Sequence, residues 1–249
     1  MKSTENPNRP QVALITGAAR GIGRAIADRL ASDGYHLALN DIDAKSLAHA
    51  VSQLKEAGHQ VLGLAGDVGD PDTIGDLIDN VMEQFGCIDS LVNNAGIGGV
   101  GKPILELTLD EWNEMLRVDL TAIFLLCRAV LPHMISQQRG RIVNISSITA
   151  MMGVAGSTHY AAAKAGVIGF SKSLAREVAG NRINVNVIAP GLIDTDMSRK
   201  RGIDHQRHFV AWPRIGTPQD VAGVVAFLLS DEAEFITGQV ISPNGGAYM

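Results

Sequence analysis

Along the chain, short runs of Val, Ile, Leu and Ala alternate with longer stretches in which apolar residues return every three or four positions. Runs of the first kind read as strands and the periodic stretches as helices. Strands are predicted near Val12–Thr16, His36–Asn40, Val61–Ala65, Ser90–Asn93, Arg141–Ile145, Arg182–Ile188 and Gln239–Ser242. Helices are predicted over Gly21–Ser32, Ala44–Ala57, Pro71–Phe85, Leu109–Gln137, Ser157–Ala179 and Pro218–Leu229. The strands are apolar throughout and do not alternate, as expected when helices cover both faces of a parallel sheet. The expected class is therefore α/β, a doubly wound sheet of about seven parallel strands flanked by helices on both faces. Pro132, inside the fourth helix, predicts a kink or a break there.

No Ser/Gly/Pro-rich linker, charge block or repeat divides the 249 residues, so the whole span 1–249 is read as one domain. Residues 1–10 form a loose polar tail with no apolar core behind Lys2, unlike a secretory signal. Thr195–Pro213 carries Arg199, Lys200, Arg201, Asp204, His205, Arg207 and His208 with little apolar periodicity. It is expected to be either a mobile cover over a substrate site or a solvated surface excursion with little share in the core.

Composition removes several classes. Hydrophobic residues make up 46% and charged residues 19%, with 27 Gly and 9 Pro, which excludes disorder and collagen-like structure. Uninterrupted apolar runs such as Val221–Leu229 fall short of the roughly 18 residues of a spanning helix, so no membrane passage is expected. A net charge of −5 supplies no general attraction to phosphate backbones or anionic lipid, and nucleic acid is not an expected partner. Cys87 and Cys127 are too few for a disulfide framework and are expected as core thiols, in keeping with a cytoplasmic protein. The seven histidines show no ligand spacing, so no metal is expected.

The first predicted strand runs directly into Thr16-Gly17-Ala18-Ala19-Arg20-Gly21-Ile22-Gly23, and a helix follows. Glycines at 17, 21 and 23 allow a tight turn, so that a pyrophosphate can sit on free N–H groups at the helix start. That placement makes the domain Rossmann-type and dinucleotide-binding. Asp41, at the end of the second strand, lies where a carboxylate accepts hydrogen bonds from the adenosine ribose and repels a 2′-phosphate. NAD is favoured over NADP. Arg20 pulls the other way, since a guanidinium can reach such a phosphate, although it can equally pair with Asp41 or lie in solvent.

Tyr160 and Lys164 stand at i and i+4 on a predicted helix, which puts phenol and ammonium on one face. A neighbouring cation stabilises phenolate and moves the phenol toward the working range of a general base. Ser147, just after the strand Arg141–Ile145, can hold a substrate oxygen beside that phenol.

Through Thr16–Gly23, Asp67-Val68, Asn93-Asn94-Ala95-Gly96, Ser147, Tyr160-x-x-x-Lys164 and Pro190-Gly191-Leu192-Ile193-Asp194-Thr195, the chain resembles the short-chain dehydrogenase/reductase family along nearly its full length. The resemblance implies that Asp67 contacts the adenine and Val68 packs against it. It implies that Asn93, Asn94, Ala95 and Gly96 brace the sheet beside the cofactor, and that Pro190, Gly191, Ile193 and Thr195 hold the nicotinamide end. Tyr160 would be the acid/base, Lys164 would bind the nicotinamide ribose and poise Tyr160, and Ser147 would orient the alcohol or carbonyl. Members commonly form dimers or tetramers through their long fourth and fifth helices, here with an apolar face Leu120-Ile123-Phe124-Cys127.

One position departs from the family pattern: Asp119 stands where an Asn usually completes the catalytic group and helps hold a relay water. An ionised carboxylate accepts hydrogen bonds but cannot donate them, so the relay is expected to be modified. Its charge, if close, would raise the pKa of Lys164 and weaken the pull on Tyr160. The plainer alternative is a side chain bonded to helix backbone. His159 either lines the substrate pocket or is an ordinary partly buried histidine; Trp112 and Trp212 read as packing residues, with Trp212 placed to touch substrate.

The expected activity is hydride transfer between NAD and a small-molecule secondary alcohol or ketone, with a polyol, sugar or hydroxylated metabolite as substrate. The alternative is an NADPH-dependent 3-oxoacyl carrier-protein reductase. Such reductases tend to place basic docking residues where this chain has Gln138 and Asn181, with Arg139 and Arg182 next door. A cofactor-sensing module without catalysis is the non-enzyme alternative.

Overall fold

A computed structural model of the chain describes residues 9–98, 101–199 and 207–249. Most of the predicted tail, residues 1–8, and the middle of the predicted cover, residues 200–206, lie outside the described residues.

The described residues form one sheet of seven parallel strands: β1 (Val12–Thr16), β2 (His36–Asp41), β3 (Val61–Ala65), β4 (Ser90–Asn93), β5 (Gly140–Ile145), β6 (Ile183–Ile188) and β7 (Val240–Ile241). Their order is β3-β2-β1-β4-β5-β6-β7. β1 pairs with β2 on one side (Thr16 with Asn40) and with β4 on the other (Ile15 with Val92). The chain therefore reverses its direction of travel across the sheet between β1 and β4, and a crevice opens beyond the carboxyl ends of those strands.

Helices α1 (Gly21–Ser32), α2 (Ala44–Glu56), α3 (Pro71–Phe85), α4 (Leu109–Leu116), α5 (Ala122–Gln137), α6 (Thr149–Met152), α7 (Thr158–Val178), α8 (Asp196–Arg199) and α9 (Pro218–Leu229) follow the strands. Local chemistry sets their ends. α3 starts where Asp70 accepts from the amide of Asp72 ahead of Pro71, and stops at Gly86, whose φ of 73° only glycine adopts readily. α4 starts at Thr108, which exchanges hydrogen bonds with Glu111 in a capping box.

Continuous apolarity of the strands has its expected cause. Ala13 and Ile15 of β1 join the core under α1 and α9, whereas Val12 and Leu14 join the core under α3, α5 and α7. Burying a large aliphatic side chain contributes about 1.5–3 kcal/mol, so a polar residue at any of these positions would be costly on either face.

The fourth helix differs from its prediction. α4 and α5 are joined without a gap by a π turn, Arg117–Thr121, and Pro132 sits inside α5 without dividing it. Pro132 is flanked by Val130 and Met134, both fully buried on the sheet, and this packing carries the helix past the missing hydrogen bond. By length and hydropathy alone, the 29-residue run Leu109–Gln137 could cross a bilayer, but Ile123, Leu126, Cys127, Val130 and Met134 commit its apolar face to the core. The predicted association face is therefore split: Ile123 and Cys127 are internal, while Phe124 is 44% exposed and meets Phe170 edge-on at 6.5 Å. Both cysteines are buried, and burial pushes the Cys127 thiol up to about 12 although Asn93 donates a hydrogen bond to it.

Candidate active site

The crevice is lined first by the glycine turn. Gly17 and Gly21 have φ of +62° and +57°. A Cβ on Gly23 would lie 2.1 Å from the carbonyl oxygen of Gly17, so this residue is glycine because of the turn's own packing. Arg20, the N-cap of α1, is extended and its side chain makes no capping hydrogen bond. Backbone N–H groups in the first turn of α1 are thus left without a side-chain acceptor and carry the positive end of the helix dipole. This donor set fits a pyrophosphate, with Gly21 and Ile22 at its rim. Asn94, just beyond β4, locks the turn, donating through Nδ2 to the carbonyls of Thr16 (2.9 Å) and Gly17 (3.0 Å), while the amides of Asn94 and Ala95 donate to Thr16 Oγ1.

Asp41 is 7% exposed, and its two oxygens accept from the amides of Ala19 and Asp43, each at 3.0 Å. The carboxylate thereby ties the glycine turn to β2 and retains lone pairs for ribose hydroxyls. Arg20 is exposed, and its charge helps to hold the Asp43 carboxyl below the usual carboxylate range, after the hydrogen bonds from Ser46. Asp67 accepts from the amide of Gly69 at 2.8 Å and pairs with Arg117 at 2.8 Å, with Val68 buried beside it. Partial burial resists ionisation of Asp67, but the Arg117 guanidinium and the Gly69 amide outweigh it and hold the carboxyl low. Arg117 also donates two hydrogen bonds to Glu114. Its placement was not legible in the sequence, because nothing there links it to an aspartate so far upstream.

Tyr160 and Lys164, expected as the proton-transfer pair, both lie on α7. Lys164 Nζ lies 5.8 Å from the centroid of the Tyr160 ring, donates to the carbonyl of Ile145 at 3.1 Å and pairs with Asp119 Oδ2 at 3.0 Å. Asp119 is fully buried, and its Oδ1 accepts from the amide of Ile97 at 2.7 Å. This corrects the plainer reading of Asp119: the side chain leaves its own helix and meets a loop amide and an ammonium, from the middle of the π turn. Insertions of this kind re-aim one side chain of an otherwise regular helix. Gly96 lets the loop close on the pair, since a Cβ there would stand 3.2 Å from Asp119 Oδ2 and 3.3 Å from Lys164 Nζ. Burial opposes the charge of Lys164, but the carboxylate of Asp119 and then Tyr160 outweigh it and raise the ammonium above its ordinary value.

Ser147 is brought to this group by its neighbour. Ser146 Oγ donates to the carbonyl of Lys164 at 2.8 Å, and the amides of Ser146 and Ile148 donate to Ile188 and Pro190. Ser147 Oγ accepts from the amide of Thr149, which leaves its own O–H to donate to a substrate oxygen. The adjacent Ser-Ser pair was visible in sequence; that only the second is free for substrate follows from Ser146 being buried.

The Pro190–Thr195 turn closes the far wall. Gly191 packs on Asn244, where a Cβ would meet its Cα at 2.7 Å, and buried Ile193 bridges to Gly216. Ser198 Oγ donates to the carbonyl of Ile193 and accepts from the amide of Thr195. One expectation changes here: Trp212 is 60% exposed and not a packing residue, while Val210, inside the predicted cover, is buried against Gly245. His159 is buried at 4% exposure, deeper than read, with no partner for Nδ1.

Comparison with known proteins identifies the family. The short chain dehydrogenase family model matches residues 11–206. The chain is 44% identical over 245 residues to the 3-oxoacyl-acyl-carrier-protein reductase FabG of Salmonella typhimurium, covering 96% of this chain and 98% of that protein. It is 44% identical over 242 residues to the protein of the same name from Escherichia coli, with 96% and 98% covered. Among solved structures it resembles levodione reductase, with a TM-score of 0.92 at 34% identity, covering 95% of this chain and 96% of that one. The structure of gox2181 gives a TM-score of 0.91 at 32% identity, with 96% and 95% covered.

Proposed function

The chain belongs to the short-chain dehydrogenase/reductase family, and on that premise we propose that it interconverts a ketone and a secondary alcohol with NAD(H), its ketone being a 3-oxoacyl thioester. The observation that carries this reading is the meeting of Tyr160 with the buried Lys164–Asp119 pair, tied to the Ser147 loop through Ser146 and to the glycine turn through Ala95 and Gly96. The names of the relatives at 44% identity favour the 3-oxoacyl substrate over the polyol or sugar read from sequence.

When bound, nicotinamide supplies the hydride. Ser147 donates a hydrogen bond to the ketone oxygen, which polarises the carbonyl and orients it. Tyr160 gives its phenolic proton to the same oxygen as charge develops there. Lys164 holds the nicotinamide ribose, and the first turn of α1 holds the pyrophosphate.

Acetoacetyl and longer 3-oxoacyl thioesters, assayed beside a panel of sugars, polyols and simple secondary alcohols with NADH and NADPH, test the proposal. Fastest turnover of a thioester supports it. A second reading, a small hydroxylated metabolite, is favoured by the uncharged Gln138 and Asn181 and by Arg139 facing Asp231 at 3.6 Å; fastest turnover of a polyol would establish it instead. Tight cofactor binding with no turnover would sink both and leave a sensor.

Cofactor choice follows from Asp41. A 2′-phosphate set against this carboxylate meets like charge, so NADH is expected to bind about a hundredfold more tightly than NADPH. Asp41→Ser should narrow that gap in fluorescence titrations of both cofactors. Equal affinities in the unsubstituted protein would show that Arg20 governs the choice. The exposed Phe124 and its partner Phe170 are proposed as part of a contact between copies, for which light scattering should report a dimer or tetramer.

A further inference from the structure

We infer that Arg117 is a positioning residue for the adenine end of the dinucleotide: it reaches from the π turn and holds the Asp67 carboxylate in the orientation that accepts a hydrogen bond from the exocyclic amino group of adenine. The inference deepens the NAD(H) reading proposed above and rests on Asp67 meeting the adenine.

The loop after β3 is fixed at both ends. At its start the amide of Gly66 donates to the carbonyl of Asp41 at 3.1 Å, and Asn40 Nδ2 donates to the carbonyl of Gly66 at 3.1 Å. The loop therefore stands beside the strand end that carries Asp41. At its far end Asp70 caps α3. Between these anchors the Asp67 carboxylate accepts from the Gly69 amide through Oδ1 and pairs with Arg117 Nη2 through Oδ2, each at 2.8 Å. Two donors on two oxygens fix the plane of the carboxylate, and each oxygen keeps a lone pair for a third donor. An adenine lying beyond a ribose held at Asp41 comes to this loop, and its amino N–H supplies that donor.

The guanidinium has a place made for it. Glu114, one turn earlier on α4, accepts from Arg117 Nε at 2.7 Å and Nη2 at 2.8 Å. A Cβ on Gly69 would lie 1.7 Å from Arg117 Nη1 and 2.6 Å from Cζ, and Gly69 has no positive φ. No backbone angle requires a glycine there; the arginine occupies the room that a side chain would take. The side chains of Arg117 and Asp67 are 36% and 32% exposed, a setting in which an ion pair adds little to stability. Its consequence is orientation. Without the guanidinium, Asp67 and Glu114 are two like charges with nothing between them, and Asp67 turns away toward solvent.

The test compares dissociation constants, read by fluorescence with no ketone present, for NADH and for its hypoxanthine analogue, whose carbonyl oxygen replaces the amino group. The unsubstituted protein should bind NADH about tenfold more tightly than the analogue, the scale of one hydrogen bond to a charged group. Arg117→Met should weaken NADH binding by about that factor and leave the analogue nearly unmoved, so that the preference disappears; Arg117→Lys should recover part of it. Gly69→Ala, which displaces the guanidinium but keeps its charge, should reproduce the loss. In an Asp67→Asn background, Arg117→Met should add nothing further. A preference that survives both Arg117→Met and Gly69→Ala in folded protein, or equal weakening of both dinucleotides, would overturn the inference and leave Arg117 a structural role. No preference in the unsubstituted protein would refute the adenine placement of Asp67 and the role of Arg117 with it. None of these constants depends on turnover, so failure to reduce any ketone counts against the proposed activity alone.

Discussion

Tyr160→Phe should lower kcat by about a thousandfold or more, the scale of a lost general acid, while the dissociation constant for NADH stays near its original value. The ring is retained, so its packing on α7 survives and Lys164 keeps its anchors at Ile145 and Asp119. Only the transferable proton is lost. Ser147 cannot replace it, since a serine hydroxyl orients the ketone oxygen but holds its proton too tightly to give it up. Single-turnover assays with a 3-oxoacyl thioester, beside cofactor titration by fluorescence, separate the two quantities. Unchanged turnover would remove Tyr160 from the chemistry, and a large rise in the NADH dissociation constant would show that its main contribution is to binding.

Lys164→Met should be the most destabilising single change in the site. It leaves the fully buried Asp119 carboxylate with one backbone amide and no counter-charge, a situation that costs about 3–5 kcal/mol. Adding Asp119→Leu should recover most of that stability and none of the activity, because the charge problem disappears while the ribose-holding ammonium is still missing. Urea midpoints for the two variants and their parent provide the test; equal midpoints for Lys164→Met and the parent would mean that the pair is not buried in solution. The pair also has a pH signature. Lys164 is raised in the native state above its ordinary 10.5, so its contribution is complete below that value and is lost as pH climbs through the raised native one. The parent should therefore lose stability on the strongly alkaline side, and the double variant should lack that component.

Most of the fold could be read from residue order. Val12–Thr16, Val61–Ala65 and Ser90–Asn93 are strands to the residue as predicted; the first and last are buried along their whole length, whereas Val61–Ala65, at the sheet edge, is fully buried only at Val61. The glycine turn and the Tyr160–Lys164 spacing were equally legible, since each rests on one short segment or one helical turn; Asp41 was legible as an acidic strand end, but its bond to the Ala19 amide was not. The long fourth helix was not: Pro132 is the residue that sequence rules mark as the break, yet the irregularity lies at Arg117–Thr121, where no glycine or proline signals it.

What the linear order determined was the class of chemistry, because a phenol and an ammonium one turn apart on a helix meet whatever else the chain does. What only the folded molecule decided was the counter-charge set against that ammonium. Asp119 comes from another helix, Ile97 from a loop and Ile145 from a strand end, and the force between them depends on distance and on the exclusion of water. Both are properties of packing between distant segments, and no local pattern of residues encodes them.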